Sequence, residues 1–137
     1  MELLDRTVFM IDDDMTTLAI QKLLINKWEP KANVITESNP SKALEFIEKE
    51  GDKIDLVLLD LNMPDIDGWM IIERILAGNS MDVRKVCLFT SSVDKADYSR
   101  ASELGIGGFI SKPMTKEVLD EALNSERNWV TNFSLPT

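Results

Sequence analysis

Short apolar runs alternate with longer stretches of helical periodicity along most of this 137-residue chain. Three clear runs are Val8–Ile11, Leu56–Leu59 and Val86–Phe89, and two weaker ones are Val34–Thr36 and Phe109–Ser111. Because the runs are short and rich in Val, Ile and Phe, they favour strands buried on both faces rather than helices. The alternation therefore predicts five β-α units and an α/β fold, in which helices cover both faces of a parallel sheet.

The stretches between the runs carry apolar residues three or four positions apart, which is the spacing of one helix face. Two of these sets, predicted to be the apolar faces of the first and third helices, are Ile20, Leu23, Leu24 and Trp28, and Met70, Ile71, Ile75 and Leu76. Asn39-Pro40 and Thr115 are predicted helix starts, and Gly105 is predicted to follow the end of the fourth helix.

Length and composition favour one domain with a real core, since 44% of the residues are apolar. We expect the fold to occupy about residues 5–125 and residues 126–137 to form a loosely ordered tail. No apolar run is long enough to span a membrane, and residues 1–6 lack the layout of a signal peptide. Cys87 is the only cysteine and lies in an apolar run, which predicts a buried, inert thiol. These features together predict a cytoplasmic protein.

The charge balance and the absence of histidine exclude several kinds of chemistry. The formal net charge is −9, and no cluster of Lys and Arg offsets it, so direct binding of nucleic acid is not expected. The chain contains no histidine, which excludes Ser-His-Asp and Cys-His catalysis within it and any zinc site with its own histidine ligands. Its chemistry must therefore use carboxylates, hydroxyls, lysine, backbone groups or a hard cation.

Polar residues follow four of the five predicted strands, at the ends where open parallel sheets bind their ligands. After the first, third, fourth and fifth predicted strands come, in order, Asp12-Asp13-Asp14, Asp60-Leu61-Asn62-Met63-Pro64, Thr90-Ser91-Ser92 and Ser111-Lys112-Pro113. Taken alone, an acidic run after a strand is typical of a solvated turn, and a single Asp before a proline-containing loop is typical of a turn residue. The joint occurrence at four strand ends favours one functional site.

Carboxylates that converge in this way repel one another unless a cation joins them. Oxygen ligands with no His or Cys nearby favour Mg²⁺, which also pairs with phosphate oxygens. A carboxylate such as Asp60 can act as a nucleophile and form an acyl phosphate. Lys112 can neutralise charge on the transferred group, and Thr90 can donate a hydrogen bond to one of its oxygens. The pattern predicts phosphoryl chemistry at this edge of the sheet.

Over about residues 5–125 the chain resembles the receiver domain of two-component response regulators. The motifs that carry the resemblance are Ile11-Asp12-Asp13-Asp14, the stretch Asp55-Leu56-Val57-Leu58-Leu59-Asp60-Leu61-Asn62-Met63-Pro64-Asp65-Ile66-Asp67-Gly68, then Phe89-Thr90-Ser91 and Phe109-Ile110-Ser111-Lys112-Pro113. The second motif is the most specific of them. The resemblance implies a flavodoxin-like, doubly wound sheet of five parallel strands in the order 2-1-3-4-5, with five helices.

The resemblance also implies a role for each matching residue of the metal site. Asp60 would be the phosphoacceptor and would also bind Mg²⁺. Asp13 would bind the metal directly, Asp12 mainly through water, and Asn62 through its backbone carbonyl. The third acid of the first motif, Asp14, is expected to face solvent or to cap the first helix.

Further positions of the family pattern concern the phosphoryl group and the switch. Thr90 and Lys112 would contact the phosphoryl group, and Phe109 occupies the aromatic switch position. If Thr90 moves toward a phosphoryl group, Phe109 can fill the volume it leaves, whereas the alternative is a Phe109 that always lies in the core. Pro113 is expected to follow a cis peptide bond.

The predicted function is a signalling receiver that takes a phosphoryl group from a phosphohistidine on a sensor histidine kinase or a histidine phosphotransfer protein. Its own chemistry would be limited to self-catalysed phosphotransfer and autodephosphorylation, and the output partner is not identified. Three alternatives are a receiver excised from a hybrid kinase or longer regulator, a pseudo-receiver that only binds partners, and a Mg²⁺-dependent phosphatase of the haloacid dehalogenase type. The pseudo-receiver predicts loss of the acceptor, an acid or the lysine, all of which are present. The phosphatase would need its Asp-x-Asp nucleophile at the first strand, whereas the expected acceptor here is Asp60.

Two surfaces are expected to meet partners. The fourth helix, fifth strand and fifth helix form the predicted switch surface, because Thr90 and Phe109 link the site to it. The kinase is expected to dock on the first helix and on the loop after the fifth strand, through Met15, Leu18, Pro113 and Met114.

Overall fold

A computed structural model describes residues 6–61, 63, 68–90, 95–124 and 130–131. The strands are β1 (Thr7–Ile11), β2 (Asn33–Glu37), β3 (Leu56–Leu59), β4 (Val86–Thr90), β5 (Gly108–Ser111) and β6 (Val130–Thr131). The helices are α1 (Met15–Trp28), α2 (Pro40–Glu50), α3 (Gly68–Gly78), α4 (Lys95–Leu104) and α5 (Lys116–Asn124). The 3-10 turns Gly51–Lys53 and Val83–Lys85 precede β3 and β4.

The strands form one sheet in the order β2-β1-β3-β4-β5-β6, and every neighbouring pair is parallel. The predicted order 2-1-3-4-5 is therefore confirmed for the first five strands. The additional strand β6 pairs Val130 with Gly108 and Thr131 with Phe109. The expectation of a loosely ordered tail is wrong at these two residues, and the rest of 126–137 lies outside the described residues.

The central strands are buried on both faces, as their continuous apolar sequences predicted. On one face, side chains such as Phe9, Val57 and Leu59 pack in a core cluster with residues of α2, α3 and α4. On the other face, Met10, Leu58 and others pack with α1 and α5. This arrangement is the doubly wound fold.

Cys87 lies in the second of these clusters, and burial raises the pKa of its thiol to about 12. The prediction of a buried thiol is confirmed. At such a pKa the thiol stays protonated near neutral pH, so Cys87 is a packing residue.

Short polar side chains fix the starts of three helices. Asp14 accepts hydrogen bonds from the Thr17 hydroxyl and from the backbone N–H groups of Thr17 and Thr16, which lower the pKa of its carboxyl group. Asn39 caps α2, with a proline at the first helical position. At α5, the Thr115 hydroxyl accepts a hydrogen bond from the Val118 N–H. These caps agree with the predicted helix starts.

The apolar faces predicted for two helices are partly wrong. In α1, Ile20 and Leu23 are exposed, and the buried residues are Leu18, Gln21 and Ile25. The error has a physical reason, since α1 carries apolar residues on two faces and spacing alone does not say which face meets the sheet.

In α3, Met70 and Leu76 are exposed, whereas Ile71 and Ile75 are buried as predicted.

Among the described residues, no helix is both long enough and apolar enough to cross a bilayer.

Candidate functional site

The carboxyl ends of four neighbouring strands meet at one edge of the sheet. Asp12 follows β1 and Asp60 follows β3, and the Asp60 N–H donates to the carbonyl of Ile11 at 3.0 Å. Thr90 ends β4, and its carbonyl accepts a hydrogen bond from the Lys112 N–H at 3.0 Å. The sheet register therefore brings together residues that lie up to a hundred positions apart in the chain.

Three carboxylates form a cluster at this edge. Asp12, Asp13 and Asp60 each offer an oxygen, and the three oxygens lie within 4.8 Å of one another. Asp12 and Asp60 are buried, whereas Asp13 is exposed, so the cluster opens to solvent on the Asp13 side. A set of carboxylate oxygens suits a hard cation such as Mg²⁺. Asn62, whose carbonyl was predicted to complete the metal ligands, lies outside the described residues.

Lys112 places its ammonium group between the two buried carboxylates. Its Nζ lies 2.6 Å from Oδ2 of Asp12 and 3.8 Å from Oδ2 of Asp60. The ring of Phe89 lies to one side, with its centroid 5.6 Å from the Nζ. The lysine therefore supplies the positive charge that the two buried carboxylates need.

The orientation of Asp12 is fixed from two sides. Its Oδ1 accepts a hydrogen bond from the Asp14 N–H at 2.9 Å, while its Oδ2 binds Lys112. Because Asp14 itself caps α1, the start of that helix and the site are held by one short segment. The Asp12 carboxylate is therefore held both by its own short connection to α1 and by Lys112 after β5.

Gly68 brings the start of α3 into direct contact with the backbone of Asp60. A Cβ at this position would lie 2.8 Å from the Asp60 carbonyl oxygen and 3.1 Å from the Cα of Leu61. The Gly68 N–H also donates to the Leu61 carbonyl at 3.3 Å. Only glycine permits this close approach, which places α3 directly against Asp60.

Thr90 and Phe109 are both fully buried behind the site. The Phe109 ring is stacked on Tyr98 of α4, with centroids 6.3 Å apart and planes 18° apart. The structure thus has Phe109 in the core, in contact with the helix of the predicted switch surface. The predicted cis peptide bond between Lys112 and Pro113 is present.

The predicted docking residues do not form one exposed patch. Met15 is 72% exposed and Pro113 is also exposed, but Leu18 and Met114 are only 5% and 3% exposed. Both belong to the core cluster shared with α5. The expectation that Leu18 and Met114 are available to a partner is therefore wrong, because they pack between α1, the sheet and α5.

The large exposed apolar residues of α1 are instead Met15, Ile20 and Leu23. Sequence reasoning assigned two of these three to the core. The sequence signal that separates the two faces is the spacing of Leu18, Gln21 and Ile25, which are three and four positions apart and so share one face.

The fold is a doubly wound parallel sheet, and three carboxylates and a lysine lie at its carboxyl edge, where α/β proteins of this class bind their ligands. The family model described as "Response regulator receiver domain" matches residues 8–124. The chain belongs to this family of two-component receiver domains. The acidic cluster is of the kind at which receiver domains bind Mg²⁺, and the family interacts with histidine kinases or phosphotransfer proteins.

Individual proteins similar in sequence to this chain include a response regulator and a sensor histidine kinase. The chain is 32% identical over 112 residues to "Two-component response regulator ARR10" of Arabidopsis thaliana, covering 82% of this chain and 19% of the relative. It is 33% identical over 117 residues to "Sensor histidine kinase CheAY" of Helicobacter pylori, covering 84% and 14%. The chain thus spans less than a fifth of these two proteins.

Among solved structures, a response regulator receiver domain protein from Clostridium thermocellum has a TM-score of 0.73 and 27% identity, with 87% and 91% of the two chains covered. A two-component response regulator from Cytophaga hutchinsonii has a TM-score of 0.75 at 24% identity, with 88% and 96% covered. The second likeness concerns the fold alone.

Proposed function

We propose that Asp60 accepts a phosphoryl group from a phosphohistidine of a partner, and that Asp12, Asp13 and Asp60 hold Mg²⁺ beside it. The observation that carries the proposal is the position of the Lys112 ammonium group, 2.6 Å from Asp12 and 3.8 Å from Asp60 beside a third carboxylate. Since the sequence has no histidine, the donor lies outside these 137 residues.

The chemistry is a displacement at phosphorus. An Oδ of Asp60 forms the new P–O bond while the P–N bond to the donor histidine breaks, and the imidazole nitrogen keeps the electron pair and gains a proton. A bound Mg²⁺ supplies charge stabilisation for the oxygens of the transferred group. Lys112 is close enough to Asp60 to neutralise a second part of that charge, and the buried Thr90 at the neighbouring strand end offers a hydroxyl donor.

The direct test uses a small phosphoryl donor. Incubation of the wild-type protein with acetyl phosphate and Mg²⁺ should add a single base-labile group of about 80 Da, observed by intact mass spectrometry. Peptide mapping after reduction with borohydride should assign the group to Asp60. A protein that gains no adduct under these conditions would contradict the proposal.

The metal part of the proposal predicts opposite effects of Asp13→Asn with and without Mg²⁺. Loss of one ligand should weaken Mg²⁺ binding by about tenfold or more. Without metal, the free energy of unfolding of the variant should rise by up to about 1 kcal/mol, because a repelling charge is removed at an exposed position. The variant should therefore melt at a slightly higher temperature. Thermal melts with and without Mg²⁺ measure both effects.

The matched control is Asp52→Asn, which removes the same charge from an exposed residue in the turn before β3. It should leave the stabilisation by Mg²⁺ unchanged. If Asp13→Asn responds to Mg²⁺ as strongly as wild type, Asp13 is not a ligand.

We propose that the donor protein docks on the exposed face of α1, which we define by Met15, Ile20 and Leu23. Met15 is the first residue of α1 and follows Asp13 of the acidic cluster by two positions, and Ile20 and Leu23 lie further along the helix. The residues of α1 include Lys22 and Lys27 and no acid, although the whole chain has a net charge of −9. An apolar surface flanked by lysines suits a helix with apolar and acidic side chains.

Leu23→Asp should therefore slow transfer from a phosphorylated histidine phosphotransfer protein or kinase by about tenfold. Labelling by acetyl phosphate should remain at the wild-type rate, since Leu23 is 72% exposed and its substitution should not disturb the fold. Leu76→Asp on α3 is the control, because it places the same charge at another exposed leucine. Equal slowing by the two variants would contradict docking on α1.

We propose further that the phosphoryl group is read out through Thr90 and Phe109 toward α4 and β5, and that the domain signals without turning over another substrate. The contact between Phe109 and Tyr98 supports this route. The output of any longer protein that contains this domain would follow from its full open reading frame.

A further inference from the structure

Helix α4 is attached to the rest of the molecule by little apolar burial. Its only buried residue is Ala101, whereas α2 buries four residues and α3 buries five. Tyr98 and Leu104 are partly buried against the core. A helix with so small a buried apolar face depends on individual side-chain contacts for its position.

Arg100 of α4 contacts two residues of the neighbouring helix α3. Its guanidinium carbon lies 4.4 Å from the centroid of the Trp69 ring, and its Nη2 lies 2.7 Å from Oε2 of Glu73. Trp69 and Glu73 are one helical turn apart in α3, so one arginine binds an aromatic face and a carboxylate at once. The Trp69 residue is only 8% exposed, which gives the cation–π contact a desolvated partner.

Trp69 is also the sequence neighbour of a residue that packs against the acceptor residue. It follows Gly68, whose backbone packs on the Asp60 carbonyl too closely for any side chain. A displacement of the Asp60 backbone would therefore move the start of α3. The same displacement would move the Trp69 ring, which Arg100 contacts.

We propose that Arg100 is a positioning residue that couples α4 to the acceptor site through Trp69 and Glu73. This coupling is separate from the route through Thr90 and Phe109, which reaches α4 from β5. It rests on the proposed function, since it describes how occupancy of Asp60 reaches α4. Helix α4 is then positioned by two sets of contacts, those of Arg100 with α3 and that of Tyr98 with Phe109 of β5. A change at Asp60 acts on both.

The test compares wild type with Arg100→Ala, using beryllofluoride with Mg²⁺ as the probe of Asp60. Without the probe, amides of α4 should exchange with solvent about threefold to tenfold faster in the variant, because the contacts to Trp69 and Glu73 are lost. With the probe, NMR shift changes should still appear at Asp60, Thr90 and β5. The changes in α4 should shrink by at least half, whereas the Trp69 indole N–H should still respond, because Trp69 lies between Asp60 and Arg100 on this route.

Arg74→Ala is the matched control. Arg74 is also an exposed arginine but lies in α3, and its removal leaves the contact between Arg100 and Trp69 in place. It should behave as wild type in every measurement. Arg100→Lys should resemble Arg100→Ala in α4, because an ammonium group lacks the planar guanidinium that meets the Trp69 ring and the Glu73 carboxylate together.

The outcomes separate the coupling from the proposed function. If wild type responds at Asp60 and Arg100→Ala passes the same changes to α4, the coupling is overturned and the proposed function stands. If wild type does not respond at Asp60 at all, both are overturned. A reduced α4 response with an intact β5 response supports the coupling.

Discussion

Replacement of Asp60 by Asn is expected to abolish the base-labile phosphoryl adduct that acetyl phosphate forms on the wild-type protein. The amide has nearly the shape of the carboxylate but lacks the anionic oxygen that attacks phosphorus. We expect the rate of labelling to fall by more than about a hundredfold, measured by intact mass spectrometry over a time course. Because Asp60 is buried at the end of β3, the neutral amide should be accommodated without loss of the fold.

Asp52→Asn provides the comparison, since it removes a carboxylate far from the cluster and should label as wild type does. A circular dichroism melt of Asp60→Asn should show a cooperative transition, so that lost labelling is not lost structure. Labelling of Asp60→Asn at the wild-type rate would show that another residue is the acceptor.

Lys112→Met is expected to have the largest effect on stability. The substitution leaves Asp12 and Asp60 buried without the ammonium group that lies between them. Removing one partner of a buried ion pair costs roughly 3–5 kcal/mol, and we expect the lower end because Lys112 is partly exposed. Urea unfolding without Mg²⁺ measures this loss of the free energy of unfolding.

Two further variants make the interpretation specific. Asp12→Asn in the Lys112→Met background should restore much of the lost stability, because it removes the one of the two unpaired carboxylates that lies nearer to Lys112. Lys116→Met removes an exposed lysine paired with Asp120 at 3.0 Å and should change stability little. If Lys112→Met is no less stable than Lys116→Met, the lysine is not the counter-charge of the buried carboxylates.

Mg²⁺ should lessen the instability of Lys112→Met, because a divalent cation can offset the same carboxylates. Phosphoryl transfer should still be slow with metal present, by about a hundredfold, since charge on the transferred group loses one of its two partners. The contrast between recovered stability and unrecovered transfer separates the structural contribution of Lys112 from its chemical one.

The arrangement of strands and the positions of the polar residues at their ends were predictable from sequence because both depend on local patterns. Buried parallel strands need continuous apolar runs, and ligands lie at their carboxyl ends. Asp12, Asp60 and Lys112 could therefore be assigned to one edge from chain position alone. Caps such as Asp14 and Asn39 were predictable for a similar reason, since each bonds only to residues within the next turn.

Features that depend on which surfaces meet in space were not predictable in this way. The core position of Leu18 and Met114 follows from the packing of α1 against α5, and α1 offers two apolar faces. The contact of Arg100 with Trp69 joins residues of two helices and has no local signature. Nor does the sequence show that Lys112 lies nearer to Asp12 than to Asp60.

The three consecutive acids after β1 occupy three different environments. Asp12 is buried against Lys112, Asp13 is exposed in the carboxylate cluster, and Asp14 holds the first turn of α1. Lengthening each in turn to Glu would therefore disturb a buried ion pair, the spacing of a metal ligand, or a helix cap. A survey of growth or signalling would score all three as similar defects, and only separate measurements of unfolding, metal affinity and helix-end amide exchange would distinguish them.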